Sequence, residues 1–466
     1  MALGAFEHVD NVLMAVGFDR GGSVIPLLDS TQMRAADAAA VASRGIDALV
    51  QAAGTAVALE AQAMLGSCYG RRVAVIVGPG LNGADGRVAA RWLAARGAKV
   101  DVIDVAHQPI ALAPYALIVD AAFGLGCSRP YVAPTVMAGT KVLAVDLPSG
   151  VDADTGEVLG APLRATVTLA LGALKTGLVT GPASRFTGEL RFAGLGIVEP
   201  VRDGLVEDDD LDGLIVRHVD DHKWTHAVQV LAGSSLMPGA GALVVRGALC
   251  GGASMIQLTS RGDIAGLVDI APEVVHSTDG SIETRCRAVV AGPGIGAGAS
   301  GWLSDRLREI RVPVVLDADG LDRALLPGDL PPERRWVLTP HEGEFIRLTG
   351  HAVAANRLDA VRELARETKC VVLLKGPTTI IADPAGRLRI VRSGTSTLAT
   401  AGSGDVLSGL IASTIARGHA PFEAASLAAH LHGVAGASLP VYSPASRIPG
   451  AVTAILEALD DSPEPA

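Results

Sequence analysis

The chain has 466 residues, a net charge of −10 and a 49% hydrophobic content. No Lys/Arg cluster supplies the basic face a nucleic-acid binder needs, and so apolar a composition excludes extended disorder. Cys68, Cys127, Cys250, Cys286 and Cys370 are odd in number, far apart and without a CxxC pair. They are expected as reduced thiols, which suits the cytoplasm.

The length accommodates two or three domains. With aromatics at 3%, the core must be built from Ala, Val, Leu and Ile, and 55 Gly with 26 Pro implies many tight connections. Residues 1–25 show no periodicity and read as an extension; Glu7, Asp10 and Asp19 exclude a basic secretory leader. Thr31–Ala63 is Ala-rich and helical in pattern, with Ser30 or Thr31 as its cap. Apolar runs at Arg72–Val77, Lys99–Val105, Ala116–Asp120 and Lys141–Asp146 suit buried parallel strands, with a helical stretch at Arg87–Arg96. This is a Rossmann-like rhythm of strand and helix.

The acidic run Glu207-Asp208-Asp209-Asp210 marks a boundary, giving domains at 26–210 and 218–462. Trp224–Val245 carries no Asp, Glu, Lys or Arg, but Gly233, Ser234, Ser235, Pro238 and Gly239 at its centre make it strand–loop–helix, not a membrane span. Further strands are expected at Val228–Ala232, Met255–Leu258, Ala288–Ala291, Pro313–Asp317, Trp336–Thr339 and Val371–Lys375. Helices are expected at Leu243–Gly251, Trp302–Ile310, Arg357–Thr368, Asp405–Ala416 and Pro421–Leu439. The fold class is α/β, with two tandem three-layer domains.

In the first half, Gly78-Pro79-Gly80-Leu81-Asn82-Gly83 follows a strand and opens a helix, as in a dinucleotide fingerprint. Asn82 and nearby carbonyls could hold a hard monovalent cation. Asp120 and Asp146 end adjacent strands and lead into Phe123-Gly124-Leu125-Gly126 and Leu147-Pro148-Ser149-Gly150. Carboxylates at such strand ends converge on one crevice. In the second half, Gly402-Ser403-Gly404-Asp405 opens an apolar helix, so free N–H groups and the helix dipole favour a phosphoryl group there. Asp405 could take a proton from a hydroxyl attacking that phosphorus. Lys375-Gly376-Pro377-Thr378-Thr379 offers a cation and hydroxyls for nucleotide phosphates. Thr339-Pro340-His341-Glu342-Gly343-Glu344, the pair Asp317/Asp319, and Gly292-Pro293-Gly294-Ile295-Gly296 lie at other strand ends.

The segments 78–86, 119–126, 145–150 and Ala173-Leu174-Lys175-Thr176-Gly177 resemble the NAD(P)H-hydrate epimerase family in order and spacing. Two positions depart from its N-N-G-G-D-G motif: Leu81 replaces the first Asn and Ala84 a Gly. The resemblance implies a Rossmann-like fold that interconverts the R and S hydrates at C6, with potassium near Asn82, Asp120 and Ser149. It implies a hydrate site at Leu81, Asn82, Gly83, Ala84 and Asp85 and along Gly124, Leu125, Gly126, Cys127, Ser128, Arg129 and Pro130. Asp146 would be its acid/base.

Residues 220–460 resemble the ribokinase-like ADP/ATP-dependent NAD(P)H-hydrate dehydratases. The motifs are Gly292–Gly296, L-D-A-D-G-L, T-P-H-E-G-E, Lys375–Thr379 and Gly402–Gly409. That resemblance implies a nucleotide with Mg2+ that phosphorylates the hydrate hydroxyl. Asp405 would be the base and Gly402, Ser403 and Gly404 would hold the phosphoryl group. Lys375, Gly376, Pro377, Thr378 and Thr379 would hold the nucleotide, while Ala240, Gly294, His341 and Asp405 contact the hydrate. A homo-oligomer acting on small molecules, with neither nucleic-acid nor membrane partners, is expected. The alternative is a ribokinase-type small-molecule kinase with an inactive N-terminal domain.

Overall fold

A computed structural model describes residues 24–197, 202–214, 220–278, 282–296, 298–308, 310–328, 330–331, 335–354 and 356–460. The expected extension lies mostly outside these, since residues 1–23 are not described. The chain divides into two compact units, Met1–Asp203 and Gly204–Ala466.

The strands of the first unit are β1 (Ile25–Leu28), β2 (Arg72–Val77), β3 (Lys99–Asp104), β4 (Leu117–Ala121), β5 (Tyr131–Val132), β6 (Lys141–Val145), β7 (Gly160–Ala161), β8 (Val167–Leu171), β9 (Leu174–Lys175) and β10 (Glu189–Ala193). Six of them form a parallel sheet in the order β10-β8-β6-β4-β2-β3. Side chains alternate across it. Val73, Val75 and Val77 pack with Ala53, Val57, Ala61, Ala89 and Leu93 of the helices Ile46–Leu65 and Leu81–Ala95. Ala74 and Ile76 face Tyr131 and Leu163 on the other side. The helix Ile46–Leu65 is long and apolar enough to cross a membrane, yet its inner face is this core. Its one buried carboxylate, Glu60, accepts from Arg191 at 2.7 Å.

The helical stretch expected over Thr31–Ala63 is two helices, Ser30–Arg44 and Ile46–Leu65, separated by Gly45 at φ 82°. A left-handed residue ends a helix, and glycine reaches that region without a Cβ clash. The cap is Asp29, not Ser30 or Thr31: its carboxylate accepts from Gln32 N at 2.8 Å, and Gln32 answers with Oε1 to Asp29 N. Ser30 instead donates to Asp154 at 2.6 Å. The helix expected at Arg87 begins at Leu81, directly on the Gly-rich loop.

The second unit contains β11 (Gly204–Leu205), β12 (Ala227–Ser234), β13 (Met255–Arg261), β14 (Val274–Ser277), β15 (Ala288–Ala291), β16 (Val314–Leu316), β17 (Val337–Leu338), β18 (Val371–Leu374), β19 (Thr379–Ala382) and β20 (Leu388–Val391). They follow the order β14-β13-β12-β15-β16-β17-β18-β19-β20-β11. The pairs are parallel up to β18, and β18-β19-β20 is an antiparallel meander. Trp224–Val245 is the strand–loop–helix its composition implied, running from β12 into the helix Pro238–Cys250. The acidic run is docked: Asp208 accepts from the buried His430 at 2.8 Å.

The helices Pro238–Cys250 and Ser403–Ala416 cross at a pair of glycines. A Cβ on Gly247 would meet Val406 O at 2.2 Å, and one on Gly409 would meet Val244 O at 2.1 Å. These helices carry Ala240 and Asp405, so the close crossing sets the spacing of two expected site residues. Gly409→Ala should force them apart and lower stability by about 1–3 kcal/mol, the usual cost of overpacking. A fall in the urea midpoint without a change in slope checks this; an unchanged midpoint would show that the crossing yields freely.

Candidate active sites

In the first unit, strand ends β4, β6 and β8 and the N-terminus of the helix Leu81–Ala95 surround a cavity of about 500 Å3. Its apolar wall includes Met33, Val41, Ile46, Leu49, Val50 and Ile197; its polar wall includes Arg34, Asp37, Asn82, Asp85, Asp146 and Lys175. Lys175 is the centre of the polar side. Its side chain is 1% exposed, and it donates to Asp146 Oδ1, to Leu171 O at 2.7 Å and to Ala173 O at 3.0 Å. All three ammonium protons are thus satisfied, which a buried lysine requires.

Asp146 sits at φ 69°, a left-handed conformation costly for a side-chain-bearing residue. Three bonds hold it there: its N–H donates to Leu169 O at 2.8 Å, and its Oδ1 accepts from Leu171 N and Lys175. The second oxygen faces Gly124. A Cβ built on Gly124 would lie 3.3 Å from Asp146 Oδ2 and 3.3 Å from Asn82 Cγ. Asp85 is also carboxylate-crowded: burial, then Asp146 and Asp37, push it up to about 8. Burial, opposed by Lys175 and assisted by Asp146, raises Asp37 as well.

Beneath the cavity, Asp120 is fully buried and accepts from Ser149 Oγ at 2.6 Å and Ser149 N at 2.9 Å. Burial pushes its carboxyl up, and no cationic side chain among the described residues pairs with it. The Asn82 amide nitrogen is buried without a hydrogen-bond partner. The Asp120 carboxylate and the Ser149 hydroxyl are oxygen donors of the kind a hard monovalent cation takes, and Asn82 would add its amide oxygen, whereas its orphaned nitrogen is a donor and ligates no cation.

The structure brings Leu81, Asn82, Asp85, Gly124, Leu125, Gly126 and Asp146 onto the cavity wall. Gly83 packs on backbone instead, since a Cβ there would meet Gly78 O at 2.0 Å. Ala84 extends the first helical turn, bonding to Gly80 O. Cys127 closes a turn to Gly124 O at 2.9 Å, and Ser128, Arg129 and Pro130 are exposed beyond it. Asp37 and Lys175 were not singled out as site residues from the sequence. The A-L-K-T-G motif contained Lys175, but the fold alone puts its ammonium on Asp146.

In the second unit, a second lysine organises the site. Lys375, at the end of β18, donates to Asp317 Oδ1 at 2.8 Å and lies 3.6 Å from Glu344 Oε2. Burial works against the Lys375 charge, but Asp317 and then Glu344 outweigh it and raise its pKa. Asp317 is buried, yet Lys375 together with Ser408, whose hydroxyl donates at 2.7 Å, holds it below the usual range. The helix Ser403–Ala416 starts at Gly402, φ 89°, with no side chain capping it. The Ser403 N–H donates to Thr400 O at 3.3 Å, and those of Gly404 and Asp405, the next in the first turn, are the donors left to an anion. A Cβ on Gly404 would sit 3.4 Å from Lys375 Nζ and 3.7 Å from Asp317 Oδ2, so the loop and the ion pair share one small space. Burial, then Asp317, raise Asp405 to about 7, with Lys375 opposing.

Ala240 and Gly294 meet: a Cβ on Gly294, at φ 64°, would lie 2.6 Å from Ala240 Cβ. His341 has a structural duty. Its Nδ1 accepts from Gly343 N at 3.0 Å and Glu344 N at 3.2 Å, and Glu344 accepts from His341 N, a reciprocal cap on the helix Glu342–Thr349. Its Nε2 lies 3.6 Å from Glu344 Oε1 on an exposed ring. Within the segment 375–379, Lys375 N donates to Pro340 O at 2.9 Å and Thr379 opens β19, while Gly376, Pro377 and Thr378 form the connection.

A family model described as NAD(P)H-hydrate dehydratase matches residues 228–448, and one described as YjeF-related protein N-terminus matches 46–111 and 103–177. A bifunctional NAD(P)H-hydrate repair enzyme of Mycobacterium tuberculosis is 36% identical over 431 residues, covering 84% of this chain and 90% of its own. A ribokinase-like superfamily protein from Enterococcus faecalis aligns with a TM-score of 0.50 at 21% identity, covering 56% of this chain and 98% of its own. An ADP/ATP-dependent NAD(P)H-hydrate dehydratase from Bacillus subtilis, co-crystallised with ATP/Mg2+, aligns with a TM-score of 0.48 at 27% identity, covering 54% and 97%.

The raised Asp85 carboxyl makes stability pH-dependent. The folded state holds its proton up to about pH 8, whereas the unfolded state releases it near 3.8, so wild-type stability falls as pH rises through that window. Asp85→Asn removes this term. Its stability relative to wild type should therefore climb between about pH 4 and 8 and level off above. Urea midpoints across pH check this; a constant difference would place Asp85 in an ordinary environment.

Proposed function

The chain belongs to the bifunctional NAD(P)H-hydrate repair enzymes, and we propose that Asp146 and Asp405 carry the proton transfers of its two reactions. It epimerises hydrated NAD(P)H in one unit and dehydrates it at the expense of ADP or ATP in the other. The observation that carries the dehydratase assignment is the space shared by Lys375, Asp317 and Gly404 at the open end of the Ser403–Ala416 helix. Phosphoryl transfer needs positive charge and N–H donors around the moving group, and a base near the attacking hydroxyl.

In the proposed sequence, the hydrate enters along Ala240 and Gly294 while Lys375–Thr379 hold the nucleotide. Asp405 accepts the proton of the C6 hydroxyl as its oxygen bonds to the terminal phosphorus and the bond to the nucleotide's bridging oxygen breaks. Lys375 and the N–H groups of Gly404 and Asp405 stabilise the charge on the phosphoryl oxygens. The C6–O bond then breaks with phosphate as leaving group, and loss of the C5 proton restores the ring's double bond. Mg2+ bound with the nucleotide would offset phosphate charge. A carboxyl near pH 7 is poised for this task, since a general base works best close to ambient pH.

In the epimerase unit, Asp146 Oδ2 is the free oxygen on the cavity wall, and the Lys175 bond keeps Oδ1 fixed. We propose that Oδ2 exchanges a proton with the C6 hydroxyl of the hydrate. We also propose that Asn82, Asp120 and Ser149 hold potassium, which when bound would supply the positive charge that Asp120 otherwise lacks. If so, potassium should raise the melting temperature of the wild type, and Asn82→Ala should remove that increment; equal melting in sodium and potassium would refute the site.

For the dehydratase, Asp405→Asn should lower turnover of the S hydrate by roughly 10²–10⁴-fold, the worth of a positioned base. The uncharged amide relieves a buried carboxylate, so the variant should melt no lower than wild type at pH 8, and epimerisation of the R hydrate should be unaffected. In the wild type, kcat/KM for dehydration should fall on the acid side with a midpoint near 7, because protonation of the free enzyme silences the base. Normal dehydration by Asp405→Asn would remove it from the mechanism.

A further inference from the structure

We infer that Asp319 is a positioning residue of the dehydratase: its carboxylate fixes the Gly292–Gly296 loop to the strand end that holds the phosphoryl site. The inference rests on the proposed contact of Ala240 and Gly294 with the hydrate.

The segment after β16 reads Asp317-Ala318-Asp319-Gly320, and Ala318 lies in the left-handed region at φ 51°. Alanine gains nothing locally from that conformation, so the surroundings must hold it. Arg347 Nη2 does so by donating to Ala318 O at 2.5 Å, and Gly320 N donates back to Asp317 O at 2.9 Å. With the chain turned there, the two carboxylates on either side reach different partners. Asp317 holds Lys375 and Ser408. Asp319 Oδ2 accepts from Gly296 N at 2.9 Å.

The loop that Asp319 grips is rich in glycine, and Gly292, Gly294 and Gly296 all have positive φ. Such a backbone has many alternatives to abandon on folding and keeps one shape only if its polar groups are pinned. At its start, Gly292 N donates to Leu231 O at 3.0 Å, and Pro293 O accepts from Gly233 N at 2.8 Å. The start also packs on the Asp317 turn, where a Cβ on Gly292 would lie 2.0 Å from Asp317 O. At its end, the Gly296 N–H is held by Asp319, with Arg261 donating to Ile295 O at 3.2 Å. Gly294, between the two anchors, is the residue seated on Ala240. One four-residue turn therefore sets both the lysine beside the phosphoryl group and the loop beside the hydrate. Such common framing matters because transfer between two bound molecules is steeply sensitive to their mutual placement.

The test is steady-state kinetics of S-hydrate dehydration with ADP or ATP and Mg2+, together with nucleotide Kd, for Asp319→Ala and Asp319→Asn. The Asn oxygen can still accept from Gly296, so that variant should stay within about threefold of wild type in hydrate KM. Asp319→Ala should raise hydrate KM by about tenfold or more, with nucleotide Kd changed less than twofold. Ala240→Val is the control for the underlying reading. If it raises hydrate KM while Asp319→Ala does not, Asp319 has no positioning role and the hydrate site stands; if neither does, the hydrate site itself is misplaced. Equal losses in hydrate KM and nucleotide Kd from Asp319→Ala would also overturn the inference. Amide exchange on the wild type decides the matter even if the Ala variant does not fold: the Gly296 N–H should be slow, and fast exchange there would show the anchor is absent.

Discussion

In each unit a lysine largely withdrawn from water is paired with an aspartate near the end of a parallel strand: Lys175 with Asp146, and Lys375 with Asp317. Neither partner can be changed alone without leaving a buried charge, a loss of about 3–5 kcal/mol in comparable pairs. The pairs therefore constrain much around them. Lys175 also satisfies the carbonyls of Leu171 and Ala173, which fixes the tight connection from β8 to β9. Asp146 accepts a left-handed backbone to reach it. Asp317 joins β18, β16 and the Ser403–Ala416 helix through Lys375 and Ser408.

A second shared device raises a carboxyl beside each pair. Asp85 and Asp405 are both lifted chiefly by burial and then by a neighbouring aspartate, to about 8 and about 7. The aspartate beside Asp405, held low by its lysine, stays charged while Asp405 can hold or release a proton near neutrality. Environments that push two carboxyls apart in this way assign acid and base roles. Missing side chains matter as much. Gly124 leaves room between Asn82 and Asp146, and Gly404 between the helix start and Lys375. A methyl group at either would fill that space.

The sequence reading placed strands well where apolar β-branched runs were bounded by turn residues, as at Arg72–Val77 and Ala288–Ala291. It passed over Val167–Leu171 and Glu189–Ala193, although both join the first sheet. Glu189–Ala193 carries Glu and Arg, which hid it, whereas Val167–Leu171 is as apolar as strands that were placed and was legible from its residues. The helix Glu342–Thr349 was also missed; its start depends on His341 acting as cap, an uncommon choice for that position.

Motif order by itself determined that this chain holds two α/β units, which strand ends carry their carboxylates, and that Gly402–Asp405 opens a helix. Those features depend on neighbours in sequence, where hydrogen-bond geometry and backbone freedom act over a few residues. The tertiary structure decided which charges touch. Asp146 and Lys175 are 29 residues apart, Asp317 and Lys375 are 58, and Asp317 and Ser408 are 91. A pattern of residue types cannot specify such pairings, because burial and electrostatic compensation exist only once the sheets have brought distant strand ends together.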